Sequence, residues 1–454
     1  MRLKLLGLAL ALLPLPALAQ TAPAQQQDAP IVVQGSLDKM SGWHVAESDH
    51  VIVYSDGPKG ELTRITHNLE RLHFLLSILL NRVDKPDDAI KLRVTLIGDT
   101  AEFYAMELRN TRSEQGPFAR AFQMQRYYDP RDDGAVMAGS RTDMVAAIEQ
   151  TVQVDLASLG VLQMNPQTGQ LENSLFGPGN QNLTVTTGGD TLGITAEGRI
   201  YAGFAQHYLL TYFPAAYPRW YLDGFGEMFA TIRVRPDGAL EYGHMPQGYR
   251  RVIEAYGQVP VKDVLTGKYL EVAKKSRWTP LHAWILTHYL FFSEERRPQL
   301  SRYLAAIANG DSLEEAAKAF GNGAKLQADV IAYDNRALPY DRMTYPPDRA
   351  PEPIVQQLTE GQARFLKGRI ELGSRIELPP PGADLDPKSA ERAAKYRAHA
   401  IEARDKWLAR LRETAARYRS NVEAQLLLAE AECRPGNHDA CAAAADRALA
   451  IQPG

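Results

Sequence analysis

Two segments of this 454-residue chain carry side chains whose types and spacing suit metal chemistry. Residues 201–210 contain His207, and residues 217–229 contain Asp223 and Glu227, four positions apart. A zinc site built on helices needs two imidazoles one turn apart, with a general-base glutamate directly after the first and a carboxylate from a second helix about twenty residues later. The chemistry that such a site supports is hydrolysis by a zinc-bound water.

The second segment resembles a helix of a known peptidase family. Tyr217-Pro-Arg-Trp220 leads into Asp223-Gly-Phe-Gly-Glu227, which is similar to the "P-x-W-x-x-E-G-x-A-E" helix of the gluzincin peptidases, in particular the peptidase MA-like group of secreted bacterial proteins. In that family the first acid binds zinc, and the acid four residues later orients a histidine ligand. The resemblance implies these two positions for Asp223 and Glu227.

The first segment lacks the matching donor groups. If Tyr212-Phe-Pro214 sets the register, the family's H-E-x-x-H motif places Ala202 at the first histidine, Gly203 at the glutamate and Gln206 at the second histidine. Alanine and glycine side chains cannot donate an electron pair to zinc, and a neutral amide is a poor substitute for imidazole. This register therefore removes both imidazoles and the base.

A register shifted by one residue does not restore the motif. It makes His207 the second ligand, but it puts Gly203 and Phe204 where the first histidine and the glutamate should be. Without two ligands and the base, neither the metal nor the proton acceptor for its water remains. We therefore expect no catalytic residue and no bound zinc, with Asp223 and Glu227 as remnant acidic positions.

The pattern allows four interpretations. The first is a pseudopeptidase that binds a protein or peptide partner as an adaptor in the cell envelope. The second is an active zinc-dependent metallopeptidase with an atypical ligand set of His207, Asp223, Glu227 and a distant histidine. In the third, residues 196–212 and 217–232 are ordinary packed helices. The fourth is a structural helical-repeat protein whose front domain is a stabilising cap.

Composition limits the broad class of the protein. Its hydrophobic share of 45% and charged share of 23% are those of a globular chain, long enough for two or three domains. A formal net charge of −3 and a pI near 6.4 argue against a nucleic-acid partner, which would call for a basic face.

The N-terminus has the pattern of an export signal. Basic residues precede an apolar run over 5–13, and a small-x-small signal-peptidase site ends at Ala19. We predict a signal peptide over 1–19 and a disordered lead, rich in Gln, Ala and Pro, over 20–42. No cysteine follows the site, so we expect no lipoprotein anchor. No later run approaches the roughly 18 apolar residues that span a bilayer. The mature chain is expected to be periplasmic or extracellular, without a transmembrane segment.

Residues 43–345 are predicted to form an α+β, zincin-like domain with a small sheet plus helices. Residues 50–55 alternate like a strand, 62–80 have helical periodicity and 90–97 form a second strand pattern. This order also resembles the front half of the peptidase MA-like domain. Residues 160–195 lack sustained periodicity and are predicted to be a long loop.

The second half of the chain is predicted to be mainly helical. Arg235-Pro-Asp-Gly238 indicates a hairpin turn between short strands. Helical patterns follow at 247–256, 281–292, 300–308, 312–320 and 324–333. We interpret 346–385 as a Pro-rich, β-containing connector and 386–454 as a helical region similar to tetratricopeptide repeats.

Residues 420–453 carry that repeat pattern, with Ala429 at the small position of the first helix and Gly436 in the turn. Cys433 and Cys441 flank the turn, so in an oxidising compartment they can form a disulfide, or Cys441 can occupy a buried small position by itself. Because such repeats stack, the open end either docks on a partner or packs against the front domain.

The other histidines do not form an obvious metal site. His67 and His73 lie on one predicted helix, but their spacing puts them roughly 120° apart around its axis. His282 and His288 have the same spread and are predicted to make core contacts. His50, at a strand entry, is predicted to be a surface residue.

Overall fold

A computed structural model gives the placement of most of the chain from Lys39 onward. It describes residues 39–83, 90–108, 126–131, 134–155, 162–164, 171–173, 182–272, 278–346, 352–379, 381–382 and 386–453. The predicted signal peptide, 1–19, and most of the predicted lead, 20–42, lie outside the described residues. The first strand begins at Met40, so the predicted lead extends too far at its C-terminal end.

The first half of the chain is mainly strands, with a few helices between them. The second half is mainly helical. The strands are β1 (Met40–Glu47), β2 (Val51–Ser55), β3 (Leu92–Ile97), β4 (Arg126–Asp129), β5 (Val136–Ser140), β6 (Met144–Asp155), β7 (Leu162–Met164), β8 (Leu171–Asn173), β9 (Asn182–Ile194), β10 (Arg233–Val234), β11 (Leu240–Tyr242), β12 (Asp341–Met343) and β13 (Ile354–Thr359). The helices are α1 (Lys59–Leu79), α2 (Thr100–Ala105), α3 (Ala196–Tyr212), α4 (Arg219–Ala230), α5 (Tyr249–Tyr256), α6 (Val261–Leu265), α7 (Thr279–Phe292), α8 (Arg297–Ala308), α9 (Leu313–Ala317), α10 (Gly323–Asp334), α11 (Glu360–Ile376), α12 (Pro387–Arg417), α13 (Val422–Cys433) and α14 (His438–Ile451). The predicted α+β class is confirmed. Within the described ranges, no helix combines the length and apolar character that crossing a bilayer requires.

The main sheet has six strands in the order β13-β1-β2-β3-β5-β4. β2 and β5 both run parallel to β3, whereas β13, β1 and β4 pair antiparallel with their neighbours. A parallel pair needs a crossover connection, and α1 supplies it between β2 and β3. The predicted strand–helix–strand order over 50–97 is therefore confirmed, with the helix starting at Lys59.

Both faces of the sheet are buried, and alternate residues of β4 belong to different cores. Tyr128, with Met137 of β5, packs in the large core that also contains residues of α1, α3, α4 and α7. Tyr127 packs on the opposite face with Ile370 of α11. Because side chains alternate along a strand, Arg126 projects to the same face as Tyr128. Strand β4 thus directs Arg126 and Tyr128 towards α3.

The segment predicted as a β-containing connector, 346–385, contributes a strand and a helix to the main fold. β13 pairs with β1 at the sheet edge, with Gln356 opposite Val45, and α11 follows it. The added strand satisfies backbone groups of β1 that would otherwise form an open edge. Residues Lys39–Gly454 accordingly form one compact unit.

The predicted loop at 160–195 contains strands instead. β9 pairs antiparallel with β6, from Met144 opposite Ile194 to Asp155 opposite Asn182, and β7 pairs with β8. A register shift lies in β6 between Ala147 and Glu149, opposite the Gly-rich part of β9. Such a bulge accommodates the glycines that interrupt the strand pattern in the sequence.

The predicted helical region at 386–454 is confirmed as α12, α13 and α14. These helices and α11 enclose a second core, formed by Phe365, Leu372, Ile376, Trp407, Leu408, Leu411, Ala415, Ala424, Leu427, Leu428, Ala429, Ala431 and Ala444. Gly436 has a φ of 90°, a left-handed conformation that suits glycine at the turn from α13 to α14. This turn brings Cys433 and Cys441 together in a disulfide, with their Cα atoms 5.1 Å apart.

Candidate functional site

Helix α3 occupies the predicted range 196–212, and α4 lies within the predicted range 217–232 but is two residues shorter at each end. The Thr195 side chain caps α3 by accepting a hydrogen bond from the Gly198 amide at 3.2 Å. α4 follows Pro218, whose fixed backbone angle suits the entry to a helix. The two motif segments are therefore placed on adjacent buried helices.

Gln206 joins three elements through its amide group. Its Nε2 donates to the Leu222 carbonyl of α4 at 2.9 Å, and its Oε1 accepts from Arg126 Nη2 of β4 at 2.5 Å. The side chain is only 1% exposed. Because both polar atoms are engaged, the Gln206 amide links α3 to α4 and β4.

Gly203 leaves the space that Arg126 fills. A Cβ atom on Gly203 would lie 2.5 Å from Met137 Sδ and 2.9 Å from Arg126 Cδ. The Arg126 guanidinium also donates to the Arg199 carbonyl at 3.2 Å, and the side chain is 3% exposed. A cation is thus buried beside the turn of α3 that would carry the family's histidines and glutamate.

The two acidic positions of α4 are deeply buried. Arg219 Nε donates to Asp223 Oδ2 at 3.0 Å, while Asp223 Oδ1 has no hydrogen-bond partner among the described residues. Glu227 is 6% exposed and makes no hydrogen bond within the same part of the chain. Burial raises the pKa of Asp223 to about 7, against Arg219 and Arg126. Burial also raises the pKa of Glu227 to about 7, against the opposing charge of Arg126.

These residues do not fit the zinc site that the resemblance implies. Ala202 and Gly203 provide no donor atom, and the amide of Gln206 is occupied by protein hydrogen bonds. Arg126 instead supplies positive charge near Asp223 and Glu227, although burial lowers the pKa of its own guanidinium. The acids are therefore balanced by arginine in a buried site.

His207 belongs to the sheet side of α3. Its Nδ1 lies 2.9 Å from the Tyr128 hydroxyl and 3.2 Å from Thr211 Oγ1, and burial lowers its pKa to about 4. The imidazole is therefore neutral at pH 7 and contacts β4. Over the described ranges, no group of three or more His, Cys, Asp or Glu side chains is placed to hold a metal ion.

His50 is not the surface residue that we predicted. Its Nδ1 lies 2.7 Å from Glu70 Oε2, and its ring stacks on His73 with a centroid separation of 3.6 Å. Ser48 Oγ donates to Glu70 Oε1 at 2.5 Å. Burial alone would raise the pKa of Glu70, but the hydrogen bonds from His50 and Ser48 lower it. The cluster ties the β1–β2 turn to α1, a contact that spacing within either segment could not reveal.

His288 makes the core contact that we predicted. Its Nδ1 lies 2.8 Å from the Tyr333 hydroxyl, and its Nε2 lies 2.8 Å from the Gly243 carbonyl. Both ring nitrogens are therefore used within the protein. His282, on the same helix α7, is 4% exposed.

A pocket of about 480 Å³ opens beside the C-terminal end of α4. Its wall consists of residues 192–195 at the end of β9, 198–199 in α3, Glu227 and 230–233 at the end of α4, 245–247, and Leu281. Glu227 thus borders a space that a ligand can enter, whereas Asp223 is fully buried. Sequence reasoning missed this pocket because distant segments form it.

Gly224 allows α4 to approach α7 closely, and we expect Gly224→Ala to lower the free energy of unfolding by about 2 kcal/mol. A Cβ atom there would lie 3.0 Å from the Ala283 carbonyl and would overlap Thr287 Oγ1. Urea unfolding of the purified variant measures the loss. Gly60→Ala in α1 is the matched control, because nothing lies within 4 Å of its Cβ position. That change should raise stability by about 0.5 kcal/mol, and equal effects of both changes would contradict the close packing.

Glu227→Gln is expected to stabilise the protein by about 2 to 3 kcal/mol at pH 8 and by less than about 1 kcal/mol at pH 5. The folded-state pKa of about 7 exceeds the ordinary 4.5, so the contribution of Glu227 to stability is complete below 4.5 and is lost as pH rises through 7. Glutamine imitates the protonated form and avoids this loss. Urea unfolding at both pH values, with the exposed Glu254→Gln as control, measures the difference. An effect of the same size at both pH values would show that the pKa of Glu227 is not raised in the folded protein.

The candidate site therefore consists of two buried carboxyl groups on α4, two arginines that balance them and a pocket bordered by Glu227. The pocket combines polar side chains with aliphatic ones. Comparison of the chain with protein-family models, with curated proteins and with solved structures found no match in any of the three.

Proposed function

We propose that this chain is an exported pseudopeptidase with a gluzincin-like domain, which binds a protein or peptide segment without cleaving it. The observation that carries the proposal is the position of Arg126. Its side chain fills the space beside Gly203, and its guanidinium donates a hydrogen bond to the Gln206 oxygen at 2.5 Å. A hydrolytic zinc site would need donor atoms and a base on this turn. The turn is instead used for hydrogen bonding and packing.

The pocket beside α4 supports the binding part of the proposal. Its volume of about 480 Å³ lies in the range of small ligand sites, roughly 300–1,000 Å³. Its wall mixes aliphatic side chains with polar groups, among them Thr195, Glu227 and Gln247. A cavity with such a wall can enclose a single side chain of a bound peptide, which a flat protein surface cannot do.

The C-terminal helices are proposed to add a second contact with the partner, in the manner of tetratricopeptide repeats. α14 exposes Leu449 at 58% and Ile451 at 37%, and α13 exposes Leu426 at 45%. Leu449→Asp tests this contribution without truncating the chain. A truncation before residue 386 would instead uncover the second core, which α11 shares with α12 and α13.

Export to the periplasm or the cell exterior is part of the same proposal. It depends on the sequence pattern of residues 1–19, with its apolar run and small-x-small site. The disulfide between Cys433 and Cys441 is consistent with an oxidising compartment.

Incubation of the mature chain, residues 20–454, with a random heptapeptide library tests the proposed function directly. We expect a subset of peptides to be retained and recovered intact by mass spectrometry, with no change when a chelator is added. Cleavage that the chelator abolishes would establish the active metallopeptidase instead. Retention by the wild-type chain that Leu449→Asp eliminates entirely would favour the helical-repeat alternative.

A further inference from the structure

Glu227 is the acidic residue of the pocket wall, and the described part of the chain leaves its hydrogen-bonding capacity unused. It is 6% exposed, borders the pocket and makes no hydrogen bond within the described part of the chain. The carboxylate is therefore free to accept hydrogen bonds from whatever occupies the pocket. A ligand that displaces water there must donate hydrogen bonds to it, because a carboxylate left without a donor is costly.

The rest of the wall determines what kind of ligand fits. Leu192, Ile194, Met245 and Leu281 present hydrocarbon surface around the cavity. A carboxylate combined with aliphatic walls matches a ligand that has an apolar stem and a polar, hydrogen-bond-donating head. Long basic side chains have this construction.

Two arginines lie on the pocket wall, and neither offsets this preference. Arg233 is exposed in β10, so solvent screens its charge. Arg199 Nη1 donates to the Ile194 carbonyl at 3.2 Å, and its Nη2 donates to the carbonyls of Ser140 and Thr142 at 3.2 and 2.9 Å. Its charge is thus directed into the protein. An anionic head at the depth of Glu227 would face the carboxylate and be repelled.

We infer that the pocket binds the side chain of a lysine or arginine in the partner peptide. The aliphatic stem lies against the hydrocarbon wall, and the cationic head donates hydrogen bonds to the Glu227 carboxylate. The inference rests on the proposed function, because it specifies which peptides the same site selects.

Four heptapeptide pools test the selectivity, each with random flanking residues and a fixed central lysine, arginine, norleucine or glutamate. Norleucine keeps the stem of lysine and lacks its charge. We expect the mature wild-type chain to bind the lysine or the arginine pool about tenfold more tightly than the norleucine pool. Fluorescence anisotropy of labelled pools measures these affinities, and preference for either basic pool supports the inference.

The variants locate the selectivity. Glu227→Gln should reduce binding of the basic pools to the norleucine level, while Glu254→Gln, with the same change in net charge at an exposed position, should alter nothing. Thermal unfolding of both variants checks that they are folded.

Equal binding of all four pools, or tightest binding of the glutamate pool, would overturn the cation pocket and leave peptide binding intact. Selectivity that persists in Glu227→Gln would overturn the assignment to this carboxylate. If no pool binds, the proposed function fails together with the inference.

Discussion

Arg126→Ala is expected to lower the free energy of unfolding by about 3 kcal/mol at pH 8 and by clearly less at pH 5. The change removes hydrogen bonds to the Gln206 oxygen and the Arg199 carbonyl, a loss that does not depend on pH. It also removes the positive charge that opposes the raised pKa values of Asp223 and Glu227.

The pH dependence follows from these two carboxyl groups. Without Arg126 their folded-state pKa values rise further above the ordinary values. Stability is then lost over a wider range as pH increases, and the difference from wild type grows towards pH 8. Near pH 5 both groups are protonated in the folded protein with or without Arg126, so only the lost hydrogen bonds and packing remain.

Urea unfolding at the two pH values measures the effect of Arg126→Ala. Arg141→Ala is a suitable control, because Arg141 pairs with Asp56 and Glu61 at partly exposed positions. Its removal should cost less than about 1 kcal/mol. If Arg126→Ala lowers the free energy of unfolding by no more than the control does, the buried arginine does not stabilise the site.

The second large effect concerns the motif positions themselves. The triple variant Ala202→His, Gly203→Glu and Gln206→His restores the family's donor pattern in sequence, yet we expect it to be destabilised by about 3 to 5 kcal/mol and to bind no zinc. Any side chain at Gly203 meets Met137 Sδ at 2.5 Å and the Arg126 stem at 2.9 Å.

Adding Arg126→Ala to the triple variant is expected to recover part of this stability and to permit zinc uptake. The change removes the cation and the stem that occupy the space, so carboxylate and imidazole donors can converge with Asp223. Zinc content and thermal unfolding of the triple and quadruple variants distinguish the two cases. Stoichiometric zinc in the triple variant would mean that Arg126 does not block the site.

Much of the helical site could be predicted because it is encoded locally. The ranges of α3 and α4 follow from apolar periodicity bounded by Thr195, Pro214 and Pro218. The same local signals predicted β2, α1 and β3 and the helical region after residue 386.

Arg126 could not be predicted because its role depends on long-range pairing. β4 reaches α3 only because it pairs with β5 at the edge of the sheet. Arg126 and its partner Gln206 are 80 residues apart in the sequence. The sequence Arg126-Tyr-Tyr-Asp129 is too short to carry a clear strand pattern. One usable signal existed, since two acids on an apolar helix such as α4 imply a buried cation elsewhere in the chain.

The roles of β13 and β9 were hard to predict for a similar reason. Prolines around 346–353 and 378–381 indicated a connector, but the strand between them finds its partner in β1, more than 300 residues earlier. Glycines in β9 concealed a strand whose partner, β6, shows the compensating register shift. In both cases tertiary pairing outweighed local composition.

We propose that the motif turn of α3, which packs against Arg126, holds no catalytic metal. Metal analysis of the purified mature chain by mass spectrometry, after exposure to equimolar zinc and removal of loosely bound ions, tests it most directly. We expect well below about 0.1 zinc per chain, because a protein zinc site needs three or four protein ligands. Close to one zinc per chain, lost when Asp223 is replaced by asparagine, would contradict it.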